Sequence, residues 1–208
     1  MRGLLLKDFY MTKKYCKIYL LMVVVFVTVS FFNNETLFWA FYPCLLCGII
    51  PANLLSYDEH SKWTQYSETL PYTKAQLVSA KYLVGLAVQL VTLLYTGIGQ
   101  AIRMNLDQSF SFDAYFLLMG MLLAVSLISP AICLPFMFKF GVEKGRIAYY
   151  VMIGFVCGAS VIAARFFKAD ILMKINQDLF LPIVCAVGIL IYALSWYLSI
   201  VFYQKREL

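Results

Sequence analysis

Six stretches of the chain carry no Asp, Glu, Lys, Arg or His: residues 18–32, 36–57, 82–102, 114–138, 147–164 and 179–203. A helix rises ~1.5 Å per residue and needs about 20 apolar residues to cross a bilayer. Folded in water, 208 residues that are 62% hydrophobic and 13% charged would expose a mostly apolar surface, whereas soluble domains are about 25% charged and small folds keep much of their surface wet. The sequence therefore predicts an all-α membrane protein of six transmembrane helices, a single domain over 1–208. The first run reaches spanning length if its helix begins near Tyr15 and Lys17 extends to the headgroups. No small-residue cleavage site follows it and the second run begins almost at once, so it is expected to be a span rather than a removed signal.

The loops alternate in charge. Most of the 17 Lys and Arg fall on one side: Arg2, Lys7, Lys13, Lys14 and Lys17; Lys62, Lys74 and Lys81; Lys139, Lys144 and Arg146; Lys205 and Arg206. The other side has Arg103, Arg165, Lys168 and Lys174. The positive-inside rule then places both termini in the cytoplasm. Because the basic residues sit between apolar runs, the net charge of +6 is not a nucleic-acid footprint. Aromatics gather near the span ends, Trp39 and Tyr42 outside and Tyr150, Trp196 and Tyr203 towards the inside, as in interfacial belts. Residues 1–17 mix Leu4, Leu5, Leu6, Phe9 and Tyr10 with Arg2, Lys7, Lys13 and Lys14, a pattern suited to a helix on the anionic inner leaflet. Five of the six cysteines, Cys44 and Cys47 among them, lie in apolar runs and read as small packing residues, not as a disulfide or metal framework.

The longest hydrophilic stretch is 58–81. Trp63, Tyr66 and Leu70 fall at i, i+3 and i+7, one face of a helix, and Pro71 is expected to end it. Thr73 and Gln76 then have capping-box spacing, with Tyr72 and Leu77 placed for a hydrophobic staple. The third span is expected to start there, about two turns before the membrane. The other inner loop, 139–146, has glycines suited to tight turns and basic anchors. Pro43 and Pro51 in the second span, and Pro130 and Pro135 in the fourth, suggest kinks or broken helices.

The runs hold no ionisable side chain of the kind ion-coupled transporters place near the midplane, so any transport would be powered from outside the membrane. The chain has no G-x-x-x-x-G-K-[ST] loop and no G-x-S-x-G elbow, and its one histidine, His60, lies in a hydrophilic loop. It is therefore read as no enzyme. Gly154 and Gly158 form G-x-x-x-G, which lets helices approach closely. Asn53, Gln89, Thr92, Thr96 and Gln100 are the polar interior residues, expected to serve interhelical hydrogen bonds before substrate contact.

The opening Gly3-Leu4-Leu5-Leu6-Lys7-Asp8-Phe9-Tyr10, the loop Trp63-x-x-Tyr66-x-x-x-Leu70-Pro71-Tyr72-Thr73-Lys74 followed by Val78 and Lys81-Tyr82, and the run from Lys139 to Arg146 together resemble small bacterial ABC-2-type permeases. The resemblance covers the whole length, and within the family it is nearest to permeases that export phenol-soluble modulins, amphipathic cytolytic peptides. It implies the type V ABC exporter fold: an N-terminal elbow helix over 1–17, six spans, and two permeases, identical or not, on two ABC ATPase subunits. The ATPases would bind ATP and Mg, and this chain no cofactor. Segment 58–70 would be the first coupling helix, with Asp58, Glu59, Trp63, Tyr66, Leu70 and Pro71 against the ATPase. Segment 139–146 would be the second contact, through Lys139, Glu143 and Arg146. The second and fifth spans would line the path at the permease interface, with Asn53, Gly154 and Gly158. Larger members have an extended external domain between the last two spans, where this chain has only 165–178. The implied function is export of amphipathic peptides across a bacterial cell membrane. Its rivals are an exporter of small hydrophobic drugs and a stand-alone membrane immunity or stress protein without transport.

Overall fold

The computed structural model describes residues 2–31, 36–67, 69–108, 111–147, 150–151 and 177–205. Among these the regular structure is helical, without strands: α1 (Arg2–Tyr15), α2 (Lys17–Ser30), α3 (Thr36–Gly48), α4 (Ile50–His60), α5 (Trp63–Ser67), α6 (Lys74–Leu106), α7 (Phe112–Phe140) and α8 (Gln177–Lys205). Residues 142–147 are also helical. Four of these runs are long and apolar enough to cross a membrane: Trp39–His60, Lys74–Leu106, Phe112–Phe140 and Leu181–Lys205. They correspond to the second, third, fourth and sixth expected spans. The first corresponds to α2, an apolar helix of 14 residues; the fifth, 147–164, lies mostly outside the described residues.

Two sequence expectations about helix starts differ in outcome. The first span was expected to begin near Tyr15, but α1 ends there and α2 starts at Lys17. The chain turns at Cys16 (φ −100°, ψ 8°), whose side chain is fully buried among Val23, Cys47, Ile50 and Leu54. The capping box before the third span is present in full: Thr73 accepts from the Gln76 N–H while the Gln76 side chain accepts from the Thr73 N–H. Helix α6 has 33 residues, roughly 50 Å at the α-helical rise, longer than a hydrocarbon core of ~30 Å. Its two buried cations, Lys81 and Arg103, stand roughly 33 Å apart along the axis, and the residues between them are uncharged. Arg103 and Gln100 both donate to Ser30 Oγ at the end of α2, at 3.4 Å and 3.0 Å.

The second span is interrupted, as its prolines suggest, but lightly. Pro51 sits in the first turn of α4, where its missing N–H costs nothing, and Ile49 between the two helices keeps right-handed angles (φ −84°, ψ −14°). Gly48 makes the joint possible. A Cβ there would come within 2.7 Å of Ser129 Cβ and 3.0 Å of Gln89 Nε2, so α3 approaches α6 and α7 more closely than a side chain permits. Helix α7 runs through Pro130 and Pro135 without a break.

The most extensive packing joins α7 to α8, and Tyr82 of α6 is inserted where the three helices meet. Its ring is fully buried and stacks on Trp196 at 5.5 Å. Ser195 donates to the Ala131 carbonyl at 2.7 Å, so it receives the Tyr82 proton at 2.7 Å; the Ser199 hydroxyl, also at 2.7 Å, then donates to Tyr82. Tyr192 closes the set by donating to the Tyr82 carbonyl at 2.8 Å. Every member has a partner in a low-dielectric interior, where an unpaired hydroxyl costs most. Tyr82→Phe is therefore expected to destabilise the bundle by about 1–3 kcal/mol, seen as a lower thermal midpoint of the detergent-solubilised protein. Adding Ser199→Ala, which removes an orphaned hydroxyl, is expected to recover part of the loss.

Candidate functional site

The stretch from Asp58 to Lys81 begins in the last turn of α4 and ends two turns into α6, and its two ends meet. Helix α4 runs through Asp58 and Glu59 to His60. Lys62 then takes a left-handed backbone (φ 54°), which turns the chain sharply. Ser61 Oγ donates to the Asp58 carbonyl at 3.3 Å. The five-residue α5 follows, and the chain bends through Leu70 and Pro71 to the Thr73 cap. This corrects the expected single helix over 58–70 with Trp63, Tyr66 and Leu70 on one face. The left-handed Lys62 separates Asp58 and Glu59 from α5, and α5 ends at Ser67, so Trp63 and Tyr66 share a helix but Leu70 lies beyond it in a bend. Pro71 follows a helix that has already ended.

Four charged side chains converge at the base of this stretch. Lys7 Nζ lies 2.7 Å from Asp58 Oδ1 and 3.3 Å from Asp8 Oδ1. Lys81 Nζ lies 2.7 Å from Asp8 Oδ1 and 2.5 Å from Asp58 Oδ2. Asp8, Asp58 and Lys81 are almost completely buried, at 2%, 3% and 5% exposure. Two cations and two carboxylates alternate, so the cluster is formally neutral, and it ties α1, α4 and α6 together at one point. At an effective dielectric of about 20, one such contact at 4 Å is worth ~4 kcal/mol before desolvation, which offsets much of it. Breaking the set is the costly event, because it leaves a buried charge unpaired.

Trp63 covers the cluster from the loop side. Lys7 Nζ stands 4.3 Å from the centre of its ring, a cation–π distance, and Tyr66 packs against it at 5.5 Å. Between Trp63, Ser67, Asp8, Asp58 and Lys81 is a cavity of about 20 Å³, enough for one water. Tyr66 is 58% exposed and Pro71 is exposed, so this end of the loop presents an aromatic edge outward.

The second loop docks on the same helix end. Gly141 (φ 83°) stops α7, a backbone region that favours glycine. Lys139, exposed at the end of α7, reaches over the rings of Phe140 and Phe202. The Val142 N–H donates to Glu59 Oε2 at 3.1 Å, and Arg146 donates to Asn53 Oδ1 at 3.2 Å. Glu143 is exposed. The structure thus brings Asp58, Glu59, Trp63, Tyr66, Asn53 and Arg146 around the end of α4. Asp58 is turned inward rather than to a partner's surface, and Gly154 and Gly158 lie outside the described residues. Lys7, Asp8 and Lys81 were not picked out as site residues from sequence. The available signal was Asp8, the one acid among the bases of 1–17.

Of the polar interior residues, Gln89 Nε2 donates to the Cys44 carbonyl at 3.2 Å and Gln100 bonds Ser30, both between helices. Thr92 and Thr96 bond back to their own helix.

A family model described as ABC-2 family transporter protein matches residues 3–204. No curated protein matches the chain, and no solved structure does.

Lys81→Met is expected to destabilise the protein by about 3–5 kcal/mol, the range for breaking a buried ion pair from one side. Asp8→Asn in the same chain restores the charge balance and is expected to return a substantial part of it. Thermal unfolding of the two variants in one detergent checks the order.

Proposed function

Because the chain belongs to the ABC-2 family of transporter proteins, we propose that it is the permease subunit of an ATP-driven exporter whose cargo is amphipathic peptides of the phenol-soluble modulin type. Family membership, together with several apolar helices, makes it a multi-pass membrane permease that works with an ABC ATPase. In this proposal it has six spans, with α2 as the first and the fifth near 147–164. Both termini face the cytoplasm of a bacterial cell, α1 is the elbow helix, and two permeases sit on two ATPases that bind ATP and Mg.

The observation that carries the coupling reading is the contact of Trp63 with Lys7 above the buried ion-pair cluster. A push on α5 from a soluble partner meets Trp63, and Trp63 rests on a cation held by carboxylates of α1 and α4, which in turn hold Lys81 of α6. Displacement of α5 therefore reaches the second and third spans through charge contacts that cannot separate cheaply. Glu59 extends the same helix end to the second loop through Val142. Tyr66, with Leu70 and Pro71 beside it, is the edge that meets the ATPase. The cargo reading rests on the resemblance and on the uncharged, aromatic-rich walls of the spans, which suit the apolar face of an amphipathic helix.

Tyr66→Ala removes an exposed ring and is expected to change stability by no more than ~0.5 kcal/mol while weakening co-purification with the ATPase. Trp63→Ala is expected to leave assembly in place and to reduce stimulation of ATP hydrolysis by peptide. Both are checked by pull-down from membranes and ATPase assay in proteoliposomes with an amphipathic peptide. Full coupling in the Trp63→Ala, Leu70→Ala double variant would sink the coupling assignment. A membrane pull-down that recovers no ATPase would instead favour the stand-alone reading.

A further inference from the structure

Three clefts border Arg146, and two of them also share Asn53. One, of about 280 Å³, is a polar mouth with Tyr15, Tyr19, Tyr57 and His60 in its wall. The other, of about 460 Å³, runs along Leu46, Ile49, Cys133 and Met137 and is largely apolar. Asn53, Arg146 and Tyr19 line both, and among the described residues Arg146 is the only Lys, Arg, Asp or Glu that lines either. Among the described residues its guanidinium makes one hydrogen bond, to Asn53 Oδ1, and no carboxylate stands within ion-pair distance of it. Glu59, which accepts from the Val142 N–H, and Glu143 line the third cleft with Arg146 without forming an ion pair with it. A guanidinium carries five donors. Among the described residues Asn53 Nδ2, the inner atom because Oδ1 accepts from Arg146, is a buried donor without a partner.

A polar mouth with one fixed cation, continuous with an apolar crevice, matches an amphiphile that has one anionic head and a hydrocarbon tail. We propose that Arg146 binds the phosphate of an anionic phospholipid, with an acyl chain lying in the crevice beside Ile49 and Met137. Asn53 is the positioning residue: its carbonyl accepts from the guanidinium where the two clefts meet. Arginine suits this task because its planar fork gives phosphate two parallel hydrogen bonds. Basic pockets between helices on the cytoplasmic side are known to hold anionic headgroups, and the tyrosines of the mouth suit headgroup depth. An amphipathic peptide carries charges along its length and needs more than one cation. A phospholipid needs one. The proposal uses the family membership and the charge-based orientation, and is independent of the peptide cargo.

The test is native mass spectrometry of the full-length chain, purified and then exposed to phosphatidylglycerol and phosphatidylcholine of matched acyl chains. The expected result is selective retention of phosphatidylglycerol, reduced at least about tenfold by Arg146→Gln, the loss expected from even one charge-assisted hydrogen bond. Asn53→Asp keeps the side-chain shape, pairs the guanidinium internally and is expected to reduce retention as much while leaving the thermal midpoint at least as high as wild type, which separates loss of the site from loss of the fold. Lys144→Gln is expected to change nothing, and inorganic phosphate in excess is expected not to displace the lipid. Equal retention of the two lipids, or wild-type retention by Arg146→Gln, overturns the proposal. So does displacement by phosphate alone, or Arg146-dependent retention of an amphipathic peptide in place of phosphatidylglycerol.

Discussion

The arrangement of this protein depends on four charges that alternate in sign where α1, α4 and α6 converge. Asp8, Asp58 and Lys81 are almost wholly removed from solvent, and each is within ion-pair distance of two neighbours or is bridged by Lys7. A lone charge in that position would cost several kcal/mol of desolvation, so none of the three helices can withdraw alone. An N-terminal helix that only rested on lipid would need no such tie. Here its inward face is Leu4, Asp8 and Thr12, and its exposed face carries Leu6, Phe9 and Tyr10. The helix is held to the bundle by charge and offers its apolar side outward, where a bilayer surface would receive it.

The remaining helices are joined by different chemistry. Tyr82 fastens α6 to α7 and α8 through neutral hydroxyls and stacked rings, with its donors and acceptors matched one to one. It follows Lys81 in sequence, so side chains about 100° apart at one level of α6 face different neighbours: Lys81 holds α1 and α4, Tyr82 holds α7 and α8. The bundle is thus pinned at a single height. Nearer the α3–α4 joint the packing is less complete. Among the described residues Gln89 Oε1 and Ser129 Oγ are buried without partners, and a Cβ on Gly48 would meet both side chains. A low-dielectric site with unmet polar groups is poorly stabilised in any one arrangement.

Several local features of the sequence reappear in the structure; long-range ones had no signature. Four of the six apolar runs coincide with helices long and apolar enough to cross a membrane, the start of α6 followed from Thr73 and Gln76 three residues apart, and the joint in the second span from Pro51, whereas Pro130 and Pro135 left α7 unbroken. Each of these is decided within a turn or two of helix. The ion-pair cluster is assembled from residues 51 and 73 positions apart, and nothing near Lys81 distinguishes it from the other bases of its loop. The expectation of one helix over 58–70 failed for a reason that periodicity does not encode. Trp63, Tyr66 and Leu70 have helical spacing, but Lys62 adopts a left-handed turn that brings Trp63 back over Lys7, and the chain must bend again after Ser67 to reach the Thr73 cap. Tertiary contact to α1 overrode the local pattern.

Asp58 and Glu59 show how two loops distant in sequence become one mechanical unit. They are adjacent on the last turn of α4, about 100° apart around its axis, and so must face different neighbours. Asp58 takes Lys7 and Lys81; Glu59 takes the Val142 N–H of the second loop. One turn and a half earlier on the same helix, Asn53 takes Arg146. The first hydrophilic loop, the second and the N-terminal helix are each anchored to α4 within eight residues. A force arriving at either loop is therefore delivered to the same helix end. In the proposed exporter, α4 is thus the element through which a push on either loop would reach the helices packed against it.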